Sequence, residues 1–148
     1  MAELATKPPQ TEVFSLTYPS PHVLLITINR EKARNSITME GHWEGDAIFE
    51  WFDEEPSLWV AVVTGAGEKA FCSGQDLVQQ NDRTSGNKET SDRLKIVPPS
   101  GFAGFSRRLG KKPVIAAVNG FALGGGFEIC LNSYVAYMLP LSKYKYIQ

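Results

Sequence analysis

Cysteine and histidine are scarce in this sequence: two of each, at Cys72, Cys130, His22 and His42. They form no CxxC pair and no metal-type spacing, so a disulfide framework and a structural zinc site are both excluded as organising devices, and no metal is expected. Charge of one sign is lacking too. The formal net charge is -1, which gives no global attraction to nucleic acid or to an anionic membrane. No run approaches the roughly 20 apolar residues of a membrane span. Residues 1–10 are polar, with Pro8 and Pro9, and lack the apolar stretch of a secretory signal. Composition points to the cytosol or an organelle matrix.

The remaining composition is that of a folded domain. Of 148 residues, 43% are hydrophobic and 21% charged, enough for one domain with a real core. Residues 1–12 read as a flexible arm. Residues 13–18 alternate apolar and polar, as an edge strand does. Val23 to Asn29 and Leu58 to Thr64 are β-branched and apolar, and read as buried strands. Between them a helix is expected from a cap at Ser36 or Thr38 to Pro56, with Met39, Trp43, Ala47, Trp51 and Phe52 on its apolar face. Gly41 and Gly45 weaken that helix. Strand, helix and strand at this spacing form a crossover unit, so the two strands are expected to be parallel.

Further on, Phe71 to Leu77 reads as a tight turn built on Gly74, and residues 79–93 as a polar mobile loop or frayed helix. A short helix is expected over 100–109. A third buried strand spans 113–119, and a helix starts at Gly124-Gly125-Gly126 and runs through Glu128 and Leu131.

Chemistry is concentrated in two segments. The glycine cluster lets a ligand approach the backbone, and the helix start behind it offers unpaired N–H groups and a partial positive charge, a natural seat for an oxyanion or phosphate. Tight packing of helix on strand would use the same glycines. Glu128, in the first helical turn, is either an acid–base group beside that seat or a carboxylate favoured by the helix dipole. Around Gly74, a glycine turn after a buried strand again exposes N–H groups; an ordinary loop would look similar. The spacing fits neither a dinucleotide GxGxxG nor a GxxxxGK[ST] phosphate loop.

Taken together, the two segments resemble the enoyl-CoA hydratase/isomerase (crotonase) family. Ala70-Phe71-Cys72-Ser73-Gly74-Gln75-Asp76-Leu77 is similar to that family's Ala-Phe-Cys-Ala-Gly-Ala-Asp-Leu. The stretch from Lys112 to Glu128, with Asn119-Gly120, Gly124-Gly125-Gly126 and Glu128, is similar to its Lys-Pro-Val-Ile-Ala-Ala-Val-Asn-Gly-x-Ala-x-Gly-Gly-Gly-x-Glu. Asn29-Arg30 to Asn35-Ser36 resembles its Asn-Arg-Pro…Asn-Ala loop. The likeness covers residues 13–133, and residues 134–148 read as a divergent tail.

The resemblance implies an α/β, crotonase-like (ClpP/crotonase) fold, incomplete and without its carboxy-terminal helices. It implies an enoyl-CoA hydratase or isomerase acting on short- or medium-chain thioesters. The backbone N–H groups of Gln75 and Gly125 would hold the thioester oxygen, and Glu128 would act as acid or base. Lys32, Ala33, Arg34, Ser73, Gly74, Asp76, Leu77 and Gly124 would contact CoA or substrate. No cofactor is implied, CoA being part of the substrate. Glu31 and Arg34 depart from the family's proline and leucine; Arg34 could meet a phosphate.

The family's second acid, in a Gly-x-Pro-Glu segment, has no counterpart here. A truncated product with impaired activity is therefore expected, with trimer formation in doubt. The alternative is a non-catalytic remnant, or a CoA-binding partner of a full-length paralogue. Residues 41–44 and 51–58 resemble fungal members of the family, some acting in peroxisomal fatty-acid breakdown and others in secondary-metabolite or host-selective toxin biosynthesis. That analogy implies a peroxisomal matrix, otherwise a mitochondrial or cytosolic, location, although Tyr146-Ile147-Gln148 is not a peroxisomal Ser-Lys-Leu address.

Overall fold

The computed structural model describes residues 4–79 and 97–138. The expected polar loop lies outside them from residue 80 to residue 93. Strand β1 (Phe14–Ser20) pairs antiparallel with β2 (Val23–Ile28) at the edge of a five-stranded sheet. Helix α1 (Met39–Glu54) crosses over to β3 (Val60–Gly65), which runs parallel to β2 with Val23 opposite Val60. The sheet continues in parallel through β5 (Val114–Val118) to β7 (Val135–Met138), in the order β1-β2-β3-β5-β7. A separate two-stranded sheet joins β4 (Ala70–Cys72) in parallel to β6 (Phe121–Ala122). Helix α2 spans Gly125–Asn132.

Side chains of β2, β3 and β5 alternate between buried and half-buried, as the two-residue period of a strand requires. Leu24, Ile26, Ile28, Ala61, Val63, Val114, Ala116 and Val118 share the core with Ile48, Phe49 and Phe52 of α1 and Ile129 of α2. Helix α1 starts where capping chemistry placed it: the Thr38 hydroxyl accepts the Gly41 N–H at 3.0 Å. It stops before Pro56 because proline disfavours a helical residue ahead of it.

Three expectations are corrected. Helix α1 buries Gly41, His42, Gly45, Ile48, Phe49 and Phe52, while Trp43 is 48% exposed and Ala47 is exposed. The turn over 71–77 opens with strand β4, which needs β6 as a partner and so cannot be read locally. Residues 100–109 hold only a 3-10 turn at Phe102–Gly104, broken by Ala103 at φ 54°. The first and third corrections share a cause. Gly45 packs so tightly on residue 103 that a Cβ there would lie 2.1 Å from the Ala103 carbonyl oxygen. The Ala103 N–H, meanwhile, donates to His42 Nδ1 at 2.9 Å. The small helix face is a docking surface for that turn.

Residues 5 and 6, within the arm, are tied down. The Glu55 carboxylate at the end of α1 accepts the N–H groups of Ala5 and Thr6 at 3.0 and 2.8 Å, and the Thr6 and Ser57 hydroxyls at 2.7 and 2.8 Å.

Candidate functional site: two backbone donors and a carboxylate around one cavity

The Arg30–Asn35 segment is a 3-10 turn, Glu31–Ala33, followed by Arg34 and Asn35 in the left-handed region. Asn35 is fully buried. Its Nδ2 donates to the carbonyls of Ala66 and Ala70 at 2.9 and 2.7 Å, and its Oδ1 accepts the Arg30 N–H at 3.1 Å. One amide therefore closes its own loop and ties it to the end of β3 and the start of β4. Arg30 continues the chain of contacts, reaching Asp76 Oδ2 at 2.8 Å.

Asp76 is held from both sides. Burial opposes its charge, but Arg30 and the N–H groups of Val78 and Gln79 keep its carboxyl below the usual range. The Asp76 N–H donates to the Ile37 carbonyl, and the Ile37 N–H donates to the Gly74 carbonyl, both at 2.9 Å. In extended backbone, alternate peptide groups face opposite ways. Two bonds toward Ile37 from Gly74 and Asp76 thus turn the Gln75 N–H to the other side, where it has no partner among the described residues.

On that side lies the turn into α2. The Leu123 N–H donates to the Cys72 carbonyl at 3.0 Å, which locks this turn against β4. A Cβ on Gly74 would stand 2.9 Å from the Leu123 oxygen and 3.6 Å from the Gly125 nitrogen, a measure of how closely the loops meet. Gly124 caps the helix at φ 51°, a conformation that disfavours side chains. The first N–H groups of a helix have no intrahelical acceptor, and that of Gly125 has no partner among the described residues. Packing also claims part of the cluster: a Cβ on Gly126 would meet the Cys72 oxygen at 2.2 Å. The same holds at Gly125, where a Cβ would meet the Phe102 ring at 2.2 Å, so packing alone asks for glycine at both positions.

A cavity of about 570 Å³ opens beside these loops. Ser73, Gly74, Gln75 and Leu77 line one side, and Gly124, Gly125 and Glu128 another. Residues from 97 to 107 close it with Val97, Pro98, Phe102, Ser106 and Arg107. Glu128 is the sole carboxylate among these lining residues; it is exposed, and no described residue bonds its side chain. Asp76 is excluded from the lining by its bond to Arg30. Lys32, Ala33 and Arg34 do not line the cavity either, although the Arg34 carbonyl accepts the Ser73 N–H at 3.1 Å and so abuts its rim. Cys72 is buried behind the loop, and burial pushes its thiol up to about 12, which leaves it inert.

Two polar groups escaped sequence reasoning. Arg107 carried no motif. His42 was given no part in the site, yet it is fully buried, with Nε2 2.6 Å from Gln75 Oε1. Burial drives its pKa down, partly offset by that hydrogen bond.

The description of the enoyl-CoA hydratase/isomerase family matches residues 20–145. The chain belongs to that family. Relatives include a mevalonyl-coenzyme A hydratase of Beauveria bassiana, 48% identical over 84% of this chain and 45% of its own length. A carnitinyl-CoA dehydratase of Escherichia coli is 44% identical over 74% of the chain and 39% of its own length. Among solved structures, a probable enoyl-CoA hydratase/isomerase from Mycobacterium abscessus aligns with a TM-score of 0.70 and 35% identity, covering 87% of the chain and 46% of that protein. The fold is accordingly crotonase-like. The chain spans under half the length of these curated relatives.

Proposed function

We propose that this chain binds an enoyl-CoA thioester with its carbonyl oxygen between the N–H groups of Gln75 and Gly125, and that Glu128 moves the proton in hydration of the double bond. The observation that carries this reading is the meeting at a single cavity of one carboxylate and two backbone donors that have no partner among the described residues. Donors fixed in advance stabilise an oxyanion because they need no reorganisation as charge develops; each is typically worth about 3–4 kcal/mol in other enzymes.

The electrons balance as follows. Water oxygen bonds to C3 of the 2-enoyl thioester as Glu128 takes its proton. The π electrons of C2=C3 pass to the thioester oxygen, giving an enolate held by Gln75 and Gly125. The enolate collapses by taking the proton from Glu128 at C2. The reverse course dehydrates a 3-hydroxyacyl thioester. Relatives named as a hydratase and a dehydratase support either direction. Acyl-chain length, and a double-bond shift in place of hydration, would be read from the products.

Turnover of 2-enoyl-CoA and 3-enoyl-CoA by purified protein tests this. Glu128→Gln should lower it by about 100-fold or more, the range of general acid–base catalysis. Wild-type turnover no higher than that of the variant would sink the proposal.

A second reading is a CoA-binding partner of a full-length paralogue. It is favoured by the apolar surface of α2 and β7, where Leu131, Tyr134, Tyr137 and Met138 are 61–82% exposed. Co-purification with such a paralogue, without turnover by the chain alone, would support it over catalysis.

A further inference from the structure

One charge in the cavity has no part in the proposed reaction. Arg107 is exposed and is the sole cation among the lining residues, as Glu128 is the sole carboxylate. Its basic neighbours are engaged elsewhere. Arg108 pairs with Asp53, Lys111 pairs with Glu54, and the Lys112 ammonium donates to the carbonyls of Phe52 and Glu55. Those contacts fasten the segment to the end of α1. The Arg107 side chain has no hydrogen-bond or ion-pair partner among the described residues, although Asp46, Glu50 and Asp53 border a second cavity that it also lines.

The backbone holds Arg107 near the reacting groups. Phe102 lies against Gly125, where a Cβ would stand 2.2 Å from its ring. Ser106 folds back on Phe102: its N–H donates to the Phe102 carbonyl at 3.1 Å, and its hydroxyl oxygen accepts the Phe102 N–H at 2.8 Å. The Arg107 N–H donates to the Ser100 carbonyl at 2.8 Å. Arg107 thus stands one short turn from the proposed oxyanion donor, and Ser106 beside it keeps a hydroxyl proton to give. The residues that resemble a CoA loop, Lys32 to Arg34, abut the cavity at Ser73, on another wall. The part of the ligand that reaches Arg107 is therefore the acyl chain rather than the CoA phosphates. A guanidinium meets the two oxygens of a carboxylate with two parallel N–H groups. A carboxylate brought here would also share the cavity with Glu128, a like charge that a paired cation offsets.

We infer that Arg107 is a specificity-determining residue that selects CoA thioesters whose acyl chain ends in a carboxylate, the monothioesters of short dicarboxylic acids. The inference rests on the thioester reading above. Arg107 meets the far end of the acyl chain and leaves the reacting carbons to Gln75, Gly125 and Glu128.

Calorimetric titration of the full chain with saturated thioesters, which cannot be hydrated, is the test. Glutaryl-CoA is compared with pentanoyl-CoA, and adipyl-CoA with hexanoyl-CoA, so that each pair shares a chain length and differs in the carboxylate. Wild type should bind at least one acid about tenfold or more tightly than its neutral counterpart, the range of a charge-assisted hydrogen bond. Arg107→Met should abolish that preference and leave the affinity for the neutral thioesters and for free CoA unchanged, which also reports that the variant is folded. In wild type, equal affinity within both pairs, or tighter binding of the neutral member, overturns the inference and leaves the thioester reading standing. A preference that survives Arg107→Met overturns it as well. Affinity lost alike for all four thioesters and free CoA in Arg107→Met assigns the residue to a CoA phosphate and also overturns it. Binding of none of the four by wild type overturns both readings.

Discussion

Asn35 shows how much a single residue settles. It is buried and left-handed, and its side-chain amide meets the carbonyls of Ala66 and Ala70 and the N–H of Arg30. Asn35→Ala would strand those groups at about 1–3 kcal/mol for each one left buried and unsatisfied. Urea unfolding should show the midpoint falling, and an unchanged midpoint would mean that water replaces the amide at no cost. At the same scale, Gln75, Gly125 and Glu128 were legible as a pair of motifs, and the fold brings them to one cavity. His42 and Arg107 were not legible. A lone histidine on a helix carries no local signal, and its significance comes from Ala103 and Gln75, residues 61 and 33 positions away.

Among the elements, α1 was readable at its ends and misread on its face. Thr38 and Pro56 act locally, so the sequence displays them. The buried stripe of Gly41, His42 and Gly45 lacks the bulky apolar residues by which a helix face is usually recognised, and at Gly45 what packs there is the backbone of Ala103. The two glycines should then respond differently to substitution. Alanine raises helix propensity by about 1 kcal/mol at either site. At Gly45 the new methyl would collide with the Ala103 carbonyl, so Gly45→Ala should destabilise by about 1–3 kcal/mol net of that gain. At Gly41 the nearest atoms are side-chain atoms of Ile37, Val13 and Thr38 at 3.1–3.2 Å, which can adjust, and Gly41→Ala should stay close to neutral. Thermal melts of the two variants decide it; equal losses would contradict the close packing of α1 on residue 103. The turn at 102–104 and strand β4 were hidden for the same reason, since each exists through a partner distant in sequence.

For the whole molecule, the crossover β2–α1–β3 and the parallel pairing of its two strands followed from the periodicity, whereas the order of the sheet beyond β3 and the closing of the cavity by residues 97–107 did not. Glu55, which joins the arm to the end of α1, gives the fold a dependence on acid. Burial would raise its pKa, but hydrogen bonds from Ala5, Thr6 and Ser57 bring it down to about 2. A carboxyl depressed on folding stabilises the fold above its unfolded value of 4.5, and that contribution is lost as pH falls toward about 2. Glu55→Gln should therefore be less stable than wild type at pH 7, with the gap narrowing between about pH 4.5 and 2. A gap constant with pH would place the loss in packing instead of charge.

The central claim, that the N–H groups of Gln75 and Gly125 grip a thioester oxygen, can be read without relying on turnover. Two donors on one carbonyl draw electron density to oxygen and weaken the C=O bond. The infrared carbonyl stretch of an enoyl-CoA, isotopically labelled at that carbon, should move to lower frequency when it binds this chain. A bound thioester whose stretch stays at its value in water would contradict the account.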